Sequence, residues 1–340
     1  MEKRFYIEEL PESKWYLWDS WLSNLPHSTP FSTSWWLSTV CNLFGGSPHI
    51  FIIKTDKDEF IGGIGLREVK FLGKSIITPS PLSAYMPLVF SKDLSYRLVI
   101  ELEKQLASFL KDRFNVILSI LNTRDIYDVR GFQWYGYETK VQYTAIINLE
   151  EFNIDIIDRS KKKQINKALR AEMVFELSDD VELMWNVWNK TFIRQDLKVP
   201  ITLKQLQYIY RKIKENNGGQ GFISFTKNGK PTSFRISMWS NPVIVYGWIS
   251  GSDPDYFRDG VSSFTVWSVL QYFKERGFKL FDWCGANIES IANFKLSFGA
   301  NLTPIFVLRS EPLWFSIAHL LRGMTKEMIF RKRRKNNDNY

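Results

Sequence analysis

Phe281-Asp282-Trp283-Cys284-Gly285-Ala286-Asn287, running on to Phe294-Lys295-Leu296-Ser297-Phe298-Gly299-Ala300, is the stretch whose reading decides the fold. Residues 280–283 read as a strand, and 290–298 as a short helix with Phe294 and Phe298 on one face and Lys295 turned elsewhere. A strand that ends in Asp282 and gives way to Gly285 and Asn287 puts polar groups where an open α/β sheet parts into a crevice. There Asp282 can accept a proton or orient an amine. Lys295 can meet an anionic donor or a developing oxyanion. The plainer alternative is that Asp282 and Asn287 bond the turn and cap the helix, and that Lys295 is a solvated lysine.

Working back, residues 221–226 and 232–239 form a hairpin turning at Lys227-Asn228-Gly229-Lys230, and 243–250 is a third strand carrying Tyr246 and Trp248. The loop from Gly251 to Gly260 leads into a helix over 261–276 that Gly277 stops. Free N–H groups at that helix start, with Arg258, Gly260, Ser262 and Ser263 around them, are candidates for holding a phosphate. Small residues before a helix are also ordinary caps. Upstream, 202–214 reads as a helix capped by Thr202, 181–192 as a helix, 156–169 as a basic helix and 143–149 as a strand. The first passage repeats the mixture: helices over 15–25, 33–44 and 94–112, strands over 49–54, 60–67 and 116–121, and a proline-broken segment at Pro79, Pro81 and Pro87. The chain is therefore expected to be α/β with mixed sheets in two passages, 1–140 and 141–310, followed by a tail over 311–340.

Composition sets limits on function. The chain has 340 residues, enough for two domains of middling size, and a formal net charge of +9 that points to anionic partners. Much of the excess lies in Lys161, Lys162, Lys163, Lys167 and Arg170, and in the run Arg331 to Lys335. The first cluster suits phosphate or RNA backbone but lacks interleaved stacking aromatics; DNA is not an expected partner. With Cys41 and Cys284 the only cysteines, neither a disulfide framework nor a cysteine zinc site is expected, and no other metal site is proposed. No export signal and no membrane span are expected, which suggests a cytoplasmic protein. Apolar residues at helical spacing from Leu313 to Met328, followed by the basic run, suit an anionic membrane surface or the protein's own body. Phosphate-loop, dinucleotide and nucleophile-elbow motifs are absent.

Three stretches carry a family resemblance: Thr191 through Arg194-Gln195 to Pro200, Ser263-Phe264-Thr265-Val266-Trp267, and the opening stretch. In their order and spacing they resemble the FemABX-like and CelD-type branch of the GNAT superfamily, over roughly residues 143–308. The resemblance implies two tandem GNAT-like domains and acyl transfer to an amine, with acyl-CoA or aminoacyl-tRNA as co-substrate and no tightly bound cofactor. It implies that Lys295 of the Phe-Lys pair contacts substrate at the reacting centre. Cys284 stands where many relatives carry Glu, and Ala286 where they carry Ser. The pyrophosphate-loop consensus is degenerate around Arg258 to Ser263.

The expected function is an N-acyltransferase acting on an amino sugar or cell-envelope precursor. Asp282, Asn287 and Lys295 are the catalytic candidates. Arg194, Gln195, Tyr246, Trp248, Trp283 and Phe294 are the substrate-binding candidates, and Arg258, Gly260, Ser262 and Ser263 the donor-binding ones. The alternatives are an aminoacyl-tRNA-dependent peptidoglycan-bridge enzyme and a catalytically silent GNAT-fold binding protein. All depend on the strands around Tyr246 and Asp282 parting.

Overall fold

The computed structural model describes residues 5–312 and Phe315. The first half runs β1 (Phe5–Glu9), α1 (Trp15–Ser23), α2 (Ser34–Phe44), β2 (Ser47–Thr55), β3 (Phe60–Phe71), β4 (Lys74–Thr78), β5 (Leu88–Phe90), α3 (Tyr96–Arg113), β6 (Val116–Leu121), α4 (Arg130–Trp134) and β7 (Glu138–Asn148). The second runs α5 (Arg159–Arg170), β8 (Val174–Leu177), α6 (Val181–Ile193), α7 (Leu203–Glu215), β9 (Gly219–Phe225), β10 (Pro231–Met238), β11 (Ile244–Ser252), α8 (Val261–Glu275), β12 (Leu280–Asp282), α9 (Glu289–Leu296) and β13 (Asn301–Ser310). Setting aside β5 and α5, both halves read strand, two helices, three antiparallel strands, helix, strand, helix, strand. This repeat of topology has no counterpart in an obvious sequence repeat. The expected strand at 143–149 begins earlier, at Glu138, and the expected helix at 156–169 begins later, at Arg159, after a 3-10 turn at Ile154–Ile156.

Local chemistry accounts for the better-defined ends. Thr202 caps α7 by accepting from the Gln205 N–H (3.3 Å), and the Gln205 side chain accepts from the Thr202 N–H (2.9 Å). Such a reciprocal box is worth about 1 kcal/mol. Leu102, Leu106 and Leu110 recur at four-residue spacing and lie buried along α3.

All strands join one sheet in the order β1-β2-β3-β4-β6-β13-β7-β12-β11-β10-β9-β8, with β5 on β3. In each half the third of the antiparallel strands pairs in parallel with the strand after the helix: β4 with β6, and β11 with β12. The last strands are then exchanged. β7 ends the first half but lies against β12, and β13 ends the second half but lies against β6. β7 and β13 pair with each other in a long antiparallel ladder from Asn301↔Ile146 to Arg309↔Glu138. One core cluster lies under α3, one under α8, and a third joins the halves through Trp36, Tyr85, Trp188, Tyr210 and Tyr246. Among the described residues no helix is long and apolar enough to cross a membrane. The expected tail helix and basic run lie outside the described residues, apart from its beginning.

Candidate active site

β11 and β12 pair only at Ile244↔Leu280, Val245↔Phe281 and Tyr246↔Asp282. β11 then continues along β10 to Ser252, whereas the chain leaving β12 follows β7, where Trp283 N–H donates to the Ala145 carbonyl at 2.9 Å. Two features drive the separation. Trp248 is an extra residue on β11, because Ile236 faces Ile249 while Ser237 faces Gly247, and such a bulge bends its strand. Cys284 adopts φ 57 and Gly285 φ 90, a sharp left-handed turn unusual for a cysteine.

One face of the parting is polar. Asp282 is 4% exposed. Its carboxylate accepts from the Tyr85 hydroxyl (2.7 Å), the Thr144 hydroxyl (2.5 Å) and the Cys284 N–H (2.8 Å). Burial raises its pKa above the usual carboxylate range, against the pull of those three bonds. Tyr85 comes from the proline-broken segment between β4 and β5, which straps across this face. In the same segment the Leu82 carbonyl accepts from the Trp248 indole N–H (2.8 Å), and Ser83 accepts from Trp36 (2.7 Å). Tyr246 is buried with its ring edge-on to Tyr85 at 6.0 Å, and burial raises its hydroxyl pKa. The polar centre is thus built from both halves.

The other face is cationic. Lys295, 8% exposed, donates to the carbonyls of Trp283 (2.8 Å) and Gly285, so it pins the turn. Burial lowers its pKa to about 8, with Arg235 pushing the same way. Arg235 of β10 lies 5.1 Å over the Trp283 ring, and Lys161 of α5 lies 4.7 Å over Phe294. Trp283 and Phe294 meet edge-on at 6.2 Å.

Other candidates are placed apart from this centre. Asn287 is exposed, and its amide bridges the Tyr143 backbone, accepting from N–H at 2.9 Å. Arg194 and Gln195 are exposed at the end of α6, Arg194 over Phe257 and Gln195 on the Thr191 carbonyl. The start of α8 is covered by α5. A Cβ on Gly260 (φ 76) would sit 2.2 Å from the Gln164 carbonyl oxygen, so only glycine permits the contact. Ser263 donates to Gln164 (2.6 Å), Ser262 to Ser252 (2.8 Å), and the Arg258 carbonyl accepts from Lys167 (2.7 Å). Sequence reasoning missed Tyr85, Thr144 and Arg235. Arg235 carried a signal: it stands between Ser233 and Ser237 on one face of β10, where an arginine flanked by small residues marks a recess.

Residues 159–296, which hold the parting, α8 and most of the cationic face, match the family model described as an acetyltransferase (GNAT) domain. Over those residues the chain is similar to a GNAT acetyltransferase domain. The whole chain has the tandem GNAT fold, as solved structures show. FemX aligns over 88% of this chain and 96% of its own (TM-score 0.69, 14% identity). The C-terminal domain of a protein assigned as a lysylphosphatidylglycerol synthetase, from Agrobacterium fabrum, aligns over 83% and 90% (0.56, 13%). A tandem GNAT protein from the clavulanic acid biosynthesis pathway aligns over 91% and 98% (0.51, 9%). No curated protein sequence matches the chain. GNAT domains use acyl-CoA as co-substrate.

Proposed function

We propose that the chain is an N-acyltransferase for an amino sugar or a cell-envelope precursor, and that transfer occurs where β11 and β12 part. The observation that carries this reading is the asymmetry of that opening. A carboxyl and hydroxyl network occupies one face, suited to an amine, and cations occupy the other, suited to a donor carbonyl and its anionic carrier. The amine attacks the carbonyl directly, so positioning and charge stabilisation supply most of the rate. Lys295 has one N–H left after its two carbonyl bonds and directs it at the developing oxyanion. Asp282 has every oxygen engaged, so it acts through Tyr85, orienting the hydroxyl that meets the amine. Asn287 holds the turn against β7. Arg194 and Gln195 line the acceptor's approach.

A second reading, with an aminoacyl ester of tRNA as donor, gains support from α5. That helix covers the α8 start, where a CoA diphosphate would be expected to rest, and it adds Arg159, Lys162, Lys163 and Arg170 to the surface beside it. Location at the inner membrane surface, through the tail, belongs to the same reading.

The test offers amino sugars and lipid-linked amines as acceptors, with acyl-CoA or aminoacyl-tRNA as donor, and follows amide formation by mass spectrometry. Amide product with either donor supports transfer and identifies the carrier. If neither donor yields an amide with any acceptor, the silent binding protein is the better description.

A further inference from the structure

Arg235 is a cation that the fold leaves without an anionic partner. Among the described residues its guanidinium makes no hydrogen bond and no ion pair, and its one polar contact is the face of Trp283. It is partly open to solvent, yet so closely surrounded that burial lowers its pKa to about 10. Protein thus surrounds the guanidinium on most sides while part of the residue meets water. Desolvating an unpaired charge is costly, and arginine in particular matches carboxylate and phosphate with a planar fork of donors.

Its neighbours share the same need. Lys161 forms no ion pair within 4.0 Å among the described residues, and burial lowers its pKa. The Trp283 indole N–H is buried with no acceptor. Lys295 bonds only carbonyls, and Arg235 is close enough to depress its pKa. Arg235 of β10 and Lys161 of α5 stand over the touching rings of Trp283 and Phe294, Lys295 of α9 binds the Trp283 carbonyl, and among the described residues no carboxylate lies within ion-pair distance of any of the three cations. The helix start that might otherwise hold a phosphate is blocked by the Gly260–Gln164 contact and by the Ser263 bond.

We propose that Arg235, Lys161 and the Trp283 indole form, beside Lys295, a site built from side chains for a phosphate group of the acyl donor. The proposal rests on the transfer reading above and adds where the donor's phosphate is held: by side chains rather than by a helix terminus. The phosphate can be the diphosphate of a CoA thioester or a phosphodiester near an RNA 3′ end.

Calorimetry on the full chain with inorganic pyrophosphate, CoA and a short single-stranded RNA ending in CCA tests this, using wild type, Arg235→Gln and Lys161→Gln. At least one ligand is expected to bind wild type with a steep salt dependence. Affinity should fall tenfold or more in Arg235→Gln and several-fold in Lys161→Gln. Preference for CoA or for RNA identifies the source of the phosphate. The Arg235→Gln protein without ligand should melt no lower than wild type, since the change relieves an unpaired charge, so a folding failure does not confuse the result. Absence of binding by all three ligands to wild type overturns the site, as does equal binding by Arg235→Gln. Because binding is read without turnover, a chain that binds pyrophosphate through Arg235 but forms no amide would sink the transfer reading and leave the site standing.

Discussion

The two halves share one topology and treat its central gap in opposite ways. In the first half β4 leaves β6 after two paired positions, and the segment from Pro79 to Pro87 enters the space, with the Met86 N–H bonded to the Leu121 carbonyl at 2.9 Å. In the second half β11 and β12 part after three positions. There the first half's filler reaches over and supplies Tyr85 to Asp282. One half thus gives up its own opening to furnish the other's. A cavity of about 370 Å³ lies beside the start of α3, lined mostly by the first half and closed by Val243 and Ile244 of the second, but its buried acid, Glu103, bonds only the Gly131 N–H and has one oxygen unpartnered. A repeated fold does not imply a repeated site.

The comparison can be broken most forcefully at Lys295. Lys295→Ala should lower turnover by about a hundredfold, the usual loss for a donor at a developing oxyanion. Glu103→Gln, at the first half's cavity, should leave steady-state turnover unchanged. A large loss from Glu103→Gln would make the first half a working site and overturn the contrast.

Tyr85→Phe tests the strap. It removes one donor from a buried carboxyl and should cost about 1 kcal/mol in denaturant unfolding, with roughly a tenfold fall in turnover. A turnover loss with no stability change would mean that Tyr85 meets substrate without holding Asp282. Stability lost at full turnover would reduce the strap to scaffolding.

The halves also separate by pH. Lys295 falls from 10.5 when unfolded to about 8 when folded, so the unfolded chain binds the extra proton and stability rises with pH across that interval. Glu103 rises from 4.5 to about 8, so the folded chain binds the extra proton and stability falls as pH climbs between those values. Urea midpoints measured from pH 5 to 10 should lose the descending limb in Glu103→Gln and the ascending limb in Lys295→Met.

Much of this was legible in the chain. The α7 cap, the hairpin at 226–230, the α8 helix ended by Gly277 and the strand running into Asp282 all follow from local rules. Lys295 was singled out by the family resemblance, not by a local rule that placed it beside the turn. The short edge strands β1 and β8 were not legible, because their exposed, alternating residues bury little and carry a weak pattern. The strand exchange was not legible either, since pairing partners 132 to 193 positions apart (from Leu280↔Asn148 to Ser310↔Ile117) leave no trace in local periodicity. Tyr85 stayed hidden for the same reason: its partner is 197 residues away, and its own surroundings read as a proline-rich loop. Arg235 was passed over, because periodicity names a face without saying what covers it.

The position of β13 has a consequence for biosynthesis. The strand that closes the first half's sheet is made long after the rest of that half, so the N-terminal half emerges with the edge of β6 bare and stays so until residue 310 is free of the exit tunnel. Nascent chains arrested short of residue 300 should therefore be cut readily by protease within their first 140 residues, and chains arrested well beyond residue 340 of a C-terminally extended version should resist. Protection of the shorter chains would mean that the first half matures unaided.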